Sequence, residues 1–209
     1  MIASKVLTPT SSDQIEKVFS QMPSLKIDNV NWPEDYPAKP EVEFSLFHDG
    51  DNLYLRYNVK EKYTLAKVSK DHGEVWTDSC VEFFIKFDES GYYNFEFTSI
   101  GKGLVSFRQS RDNAQPASES IMALIERTPT IGSEPFEEIQ DTEWSLTLKI
   151  PKEAFFAHKL ETLSGVNAKA NFYKCGDNLT EPHFLSWNKI DMPTPNFHVP
   201  QFFGQIDFE

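Results

Sequence analysis

The sequence predicts an all-β domain: a two-sheet antiparallel sandwich, immunoglobulin-like or jelly-roll-like, of about ten strands with one or two short helices. Three observations carry this. Apolar residues recur with a period of two from about Glu41 to the C-terminus. Phenylalanine, which suits the filled side of a sheet, is the most prominent apolar residue with 18 copies. Proline (13) outnumbers glycine (9), as expected of turns and loops lying outside the sheets.

A chain of 209 residues suits one large domain. Residues 1–40 form an N-terminal extension in which Ser11-Ser12-Asp13 caps one short helix running to Phe19. Alternation then marks strands through Val42/Phe44/Leu46, Leu53/Leu55/Tyr57/Val59, Val81/Phe83/Ile85/Phe87, Tyr93/Phe95/Phe97 and Trp144/Leu146/Leu148/Ile150. Further strands are expected at residues 103–109, 122–127, 169–174, 183–187 and 205–208, and a single helical turn after Pro151.

Alternation also suggests a register for the central hairpin. Placing Phe87 opposite Tyr93 aligns the two phenylalanine stripes and leaves Glu89-Ser90-Gly91 as a three-residue loop, with Gly91 in the left-handed conformation. Glu82 then faces Thr98, and Phe84 faces Glu96. One face of this hairpin is greasy. The other carries Trp76, Asp78, Cys80, Glu82 and Glu96.

The net charge of −12, with no basic run, opposes binding to nucleic acid or to an acidic membrane surface and leaves neutral ligands unaffected. No apolar stretch approaches the ~20 residues needed to span a bilayer. The first residues lack a signal peptide, which reads as cytoplasmic, or as extracellular or periplasmic if a leader was removed. Cys80 and Cys175 lie in no CxxC or Cys/His cluster and are expected as free thiols. Lys174 alternates with Cys175 across its strand, so the two should point apart. The five histidines show no metal-binding spacing, and no nucleotide or hydrolase motif is present.

A flat aromatic with carboxylates nearby is what a sugar ring requires: the ring's C–H face packs on the aromatic, and its hydroxyls pair with the acids. Trp76-Thr77-Asp78-Ser79-Cys80-Val81-Glu82 offers both within seven residues. The stretch from Val75 to Ile85, followed by Gly91-Tyr92-Tyr93-Asn94-Phe95-Glu96-Phe97, resembles the central motif of family 9 carbohydrate-binding modules. Ala170-Asn171-Phe172-Tyr173-Lys174-Cys175, His183-Phe184-Leu185-Ser186-Trp187, Phe197-His198 and Phe203-Gly204 resemble the closing strands of the same family, in a branch associated with gut Bacteroidetes.

The resemblance implies a non-catalytic β-sandwich that grips a terminal sugar between two tryptophans, here Trp76 and Trp187, with Glu82 holding hydroxyls. Asp78 and Glu96 join them as expected binding residues. Reducing-end binders of the family carry a basic residue on the strand after the motif. Residues 92–98 hold none, which leaves Arg56 or Lys102 as substitutes. The expected partner is a mono- or oligosaccharide bound by a monomer. Structural calcium is the one cofactor the resemblance allows, and no EF-hand-like loop identifies ligands for it. The alternative function is glycoside hydrolysis by Glu82 and Glu96, whose expected diagonal spacing of ~7–8 Å falls within the range of inverting enzymes. Use of the sandwich for haem would need axial Met or His ligands across a pocket, which the sequence does not reveal.

Overall fold

Backbone pairing realises the period-two pattern over fourteen strands in the computed structural model, which describes residues 1–209. In chain order these are β1 (Ile2–Lys5), β2 (Leu25–Lys26), β3 (Asn29–Val30), β4 (Glu41–His48), β5 (Asn52–Ala66), β6 (Cys80–Lys86) and β7 (Tyr92–Thr98). They continue as β8 (Gly103–Arg108), β9 (Ala114–Pro116), β10 (Glu126–Pro129), β11 (Phe136–Pro151), β12 (Asn167–Cys175), β13 (Phe184–Ser186) and β14 (Gly204–Phe208). The helices are α1 (Ser12–Phe19) and the single turn α2 (Glu119–Met122). No helix is long and apolar enough to cross a membrane.

One layer follows the order β10-β11-β5-β4, and the other β14-β12-β6-β7-β8-β9. Their inner faces meet in a core of 32 buried residues. Phe44 of β4 stacks on Phe172 of β12 with ring centroids 3.9 Å apart, and Phe172 stacks in turn on Phe83 of β6. Tyr57 of β5 donates its hydroxyl proton to the Glu82 carbonyl across the layers at 2.8 Å.

The expectation of two separate antiparallel sheets needs one correction. β1 pairs in parallel with both β14 and β4, so the layers form one continuous hydrogen-bonded path. Residues 1–40 are therefore more than an extension, because they supply this seam strand. It satisfies backbone groups on two strand edges that would otherwise be open. The helix is where the sequence places it. The Ser11 hydroxyl accepts from the Gln14 amide, and α1 lays Phe19 against Phe47 of β4.

The central hairpin is shifted by two residues from the expected register. Ile85 pairs with Tyr93, Phe84 with Asn94, and Glu82 directly with Glu96. A two-residue shift preserves the facing of every side chain, so alternation alone does not exclude it. Phe87 leaves the ladder to pack edge-on against Phe155, and Asp88 closes the turn by accepting from the Ser90 amide. The loop is thereby five residues. Gly91 keeps a positive φ, +156°, which side-chain-bearing residues rarely adopt, and a Cβ there would also lie 2.4 Å from the Arg108 carbonyl oxygen. A second correction concerns residues 122–127. Ser118 caps α2 instead, turning Met122 and Ile125 into the core before the chain extends as β10.

Lys174 of β12 points between the layers and meets Glu61 of β5 at 2.8 Å, with both side chains almost wholly excluded from solvent. Trp144 donates to the other Glu61 oxygen at 2.7 Å. Burial beside Lys174 holds His183 neutral, so its Nε2 accepts from Lys174 while Nδ1–H donates to the Glu181 carbonyl. Removing one member strands a buried charge. Glu61→Leu alone is expected to cost about 3–5 kcal/mol in urea denaturation, and the double variant Glu61→Leu/Lys174→Met to recover most of it.

Candidate functional site

Strands β6 and β7, and β12 from Ala170 onward, are buried on both faces, and the second face holds the site. Alternation brings Cys80, Glu82 and Phe84 of β6 to that face, with Asn94, Glu96 and Thr98 of β7 beside them and Tyr173 and Cys175 of β12 on the other flank. The segment after β13 folds over it. Ile190, Phe197, Val199 and Phe203 form, with Trp32, Val75 and Phe84, an eleven-residue apolar cluster separate from the inter-layer core. Trp32 packs behind Phe184 and Phe197 and donates its indole N–H to the Met192 carbonyl.

Between this cover and the sheet lies a cleft of about 320 Å3. Its aromatic walls are Trp76, Phe184 and Phe197, and its polar groups include Glu82, Glu96, Arg108, Asp177, Asn196 and His198. Trp76 sits half-buried on a one-turn 3₁₀ helix, Val75–Thr77. The Asp177 and Asn178 amides donate to the Trp76 and Thr77 carbonyls and tie that turn to the end of β12.

The two glutamates form the floor. As directly opposed residues, their Cβ atoms lie about 4.5–5.5 Å apart. Burial raises the Glu82 carboxyl well above the usual range, and the neighbouring Cys175 and Glu96 push it further. Glu96 is raised by burial to about 7, with its hydrogen bond from Asn94 Nδ2 (2.8 Å) opposing the shift. Arg108 Nε donates to Asn94 Oδ1 at 2.8 Å, which places a guanidinium beside the acids. His198 contacts the Tyr92 hydroxyl at 3.0 Å, and burial keeps it neutral, with its pKa lowered to about 3.

Of the residues expected from sequence, the structure brings together Trp76, Glu82 and Glu96. Four others lie elsewhere. Trp187 turns to the opposite side of the sheet, edge-on to Phe44 and Phe172, with its ring over Gly204, where a Cβ would come within 2.8 Å. The expected slot between Trp76 and Trp187 is not formed, because β13 ends at Ser186 and Trp187 takes the core-facing side. Arg56 lies on the outer face of the other layer, ion-paired with Glu16 of α1 and stacked 4.3 Å above Phe19. Asp78 is a buried turn residue whose Oδ2 accepts from the Val68 amide at 2.8 Å. Lys102 lies in the β7–β8 connection, outside the cleft. Two cations line the cleft, Arg111 in the β8–β9 turn and Arg108 on β8; Arg108 was missed because a basic residue was sought on β7 and not one strand further. Its signal was available: Leu104, Ser106 and Arg108 share one parity on β8, and Arg108 pairs with Tyr92.

A sequence-family model described as carbohydrate-binding family 9 matches residues 13–208. The chain belongs to this family. Among solved structures, a candidate carbohydrate-binding protein from Bacteroides uniformis superposes with a TM-score of 0.95 at 39% identity, covering 100% of this chain and 98% of that one. Two family 9 structures from Caldicellulosiruptor kristjanssonii share the fold at much lower identity. The complex with glucose has a TM-score of 0.62 at 12% identity, covering 100% of this chain and 95% of that one. The complex with cellotriose has a TM-score of 0.65 at 11% identity, with 100% and 93% covered. No curated protein matches the chain significantly. Carbohydrate binding is the activity of the family, and its modules are not enzymes.

A second concavity, of about 410 Å3, lies near His183 and Glu61, but its walls are mainly Lys, Glu and Asp with Tyr63 as the one aromatic. It lacks the broad apolar surface that a pyranose face needs. The core position of Trp187 gives a measurable contrast with Trp76. Both rings are half-buried, but Trp187 packs against the 32-residue inter-layer core and Trp76 against the smaller cleft-side cluster. Trp187→Ala is therefore expected to destabilise the fold by about 3 kcal/mol, read as a lower denaturation midpoint, and Trp76→Ala by less.

Proposed function

We propose that this family 9 module binds a neutral saccharide, without catalysis, in the cleft over β6, β7 and β12. The observation that carries the reading is the union of Trp76, Phe184 and Phe197 with the directly opposed Glu82–Glu96 pair and Arg108 in one concavity. Stacking on an aromatic wall buries the C–H face of a pyranose. The carboxyl groups and guanidinium offer acceptors and forked donors to adjacent hydroxyls. In this reading Trp76 works with Phe184 and Phe197, not with Trp187. The glucose and cellotriose held by the Caldicellulosiruptor modules make β-1,4-linked glucose the first ligands to test.

Calorimetric titration with glucose, cello-oligosaccharides and a broader glycan panel should find a ligand bound with micromolar to millimolar affinity, roughly 4–8 kcal/mol. Trp76→Ala should weaken binding at least ~30-fold, as expected of a central aromatic contact worth about 2 kcal/mol, while Arg56→Ala should leave it unchanged. Full-strength binding by the Trp76 variant would place the sugar elsewhere.

Hydrolysis is the second reading, favoured by a single observation. Direct opposition sets the Glu82 and Glu96 Cβ atoms about 4.5–5.5 Å apart, a spacing that suits the close carboxyl pair of retaining glycosidases better than the wider pair of inverting ones. Both acids are engaged within the fold, Glu82 by the Cys175 thiol and Glu96 by Asn94. No turnover is therefore expected on a panel of activated aryl glycosides. Hydrolysis that disappears in a folded Glu82→Gln variant would establish an enzyme.

A further inference from the structure

Glu82 is buried without a basic partner. The only side chain that donates to it is the Cys175 thiol, at 3.1 Å between Sγ and Oε1. Lys174, next in sequence to Cys175, is committed to Glu61 on the far side of the strand. Arg108 is committed to Asn94 and to the Arg111 carbonyl. Cys80 and Cys175 are directly paired across β6 and β12, both are free thiols, and both face the same side as Glu82. A buried carboxylate is normally paired with a cation or bound to a metal.

The geometry points to a binding site for one thiophilic divalent cation of the Zn2+ class, held by Cys80 Sγ, Cys175 Sγ and a Glu82 carboxylate oxygen. These three ligand atoms all lie within 4.8 Å of one another. A tetrahedral zinc with sulfur at about 2.3 Å and oxygen at about 2.0 Å has ligand–ligand edges of roughly 3.5–3.8 Å. The Cys175 Sγ–Glu82 Oε1 edge, at 3.1 Å, opens by about 0.4 Å, and the other edges, none longer than 4.8 Å, close by about 1 Å at most to reach those values. Calcium and magnesium are disfavoured because two of the three donors are soft sulfur.

The site is reached from the cleft, since Glu82 and Cys175 line it while Cys80 lies beneath. Three protein ligands leave a fourth position, open toward the cleft, for water or a small oxygen donor. Binding releases the two thiol protons to solvent, together with any proton held by the buried Glu82 carboxyl, and the two thiolates with the carboxylate then place a net charge of −1 around the metal centre. No electron transfer is involved. The inference needs no saccharide.

The test is titration of the reduced, sugar-free full chain with Co2+ as a spectroscopic probe, followed by displacement with Zn2+. The expected result is a thiolate-to-cobalt charge-transfer band with tetrahedral ligand-field bands, saturating at one metal per chain and lost on adding Zn2+. Cys175→Ala and Cys80→Ala should each weaken Zn2+ binding at least tenfold in competition with a chromophoric chelator. Should either variant fail to fold, the wild-type chain still decides, because bound Zn2+ must slow the reaction of its two thiols with a disulfide reagent. No charge-transfer band from a chain with two titratable thiols would overturn the site. So would unchanged thiol reactivity with zinc, or a Cys80–Cys175 disulfide persisting in the purified protein under mild reductant. Saccharide titrations on metal-free protein are independent of these outcomes.

Discussion

From Ala170 to Cys175 β12 has no solvent face, and the molecule is organised around that constraint. Phe172 and Lys174 enter the layer between the sheets, while Tyr173 and Cys175 enter the cleft side, and all four are buried. An antiparallel strand with one open face alternates apolar and polar residues. A strand covered on both sides must place polar residues only where partners await them. Lys174 meets Glu61 and His183, and Asn171 Nδ2 donates to the Asn188 carbonyl. The cover over the second face is therefore part of the fold's stability as well as of the cleft.

That double coverage explains which parts of the molecule were legible in sequence. The phenylalanine stripes through β6 and β7 and the alternation in β5 and β11 face one continuous core, and they are plain from the order of residues alone. The facing of Glu82 and Glu96 was equally legible, because period two assigns sides without knowing the register. Their direct pairing was not, since a two-residue slide leaves every side chain on its own face and only the tertiary docking of Phe87 on Phe155 selects among such slides. β1 was hidden for another reason. Four residues offer too short a run to show a period, and their role is set by two strand edges far away in sequence.

The site divides in the same way. Trp76 and Glu82 are close in sequence and read as a unit. Phe184 and Phe197 reach the cleft only through the fold, and nothing local to them announces a ligand, whereas the parity of Arg108 on β8 placed it on the cleft side. Trp187 illustrates the reverse error: a family motif marked the residue, but a tryptophan one step past a short strand turned to the core side. The family relationship is secure over residues 13–208, yet which aromatic ring fills which wall is settled by side-chain direction in this chain.

The seam strand has a mechanical consequence. β1 and β14 run parallel with Ile2 beside Asp207 and Ala3 beside Phe208, so the chain enters at one end of the seam and leaves at the other. The Asp207 amide donates to the Met1 carbonyl and the Glu209 amide to the Ala3 carbonyl along that line. Tension applied between the two ends would slide β1 along β14, loading these bonds simultaneously in shear. They would fail as a group, and not one at a time as when a hairpin is unzipped. A domain tethered by both ends would carry load along its own closing seam, while the cleft over β6, β7 and β12 would stay outside the line of force.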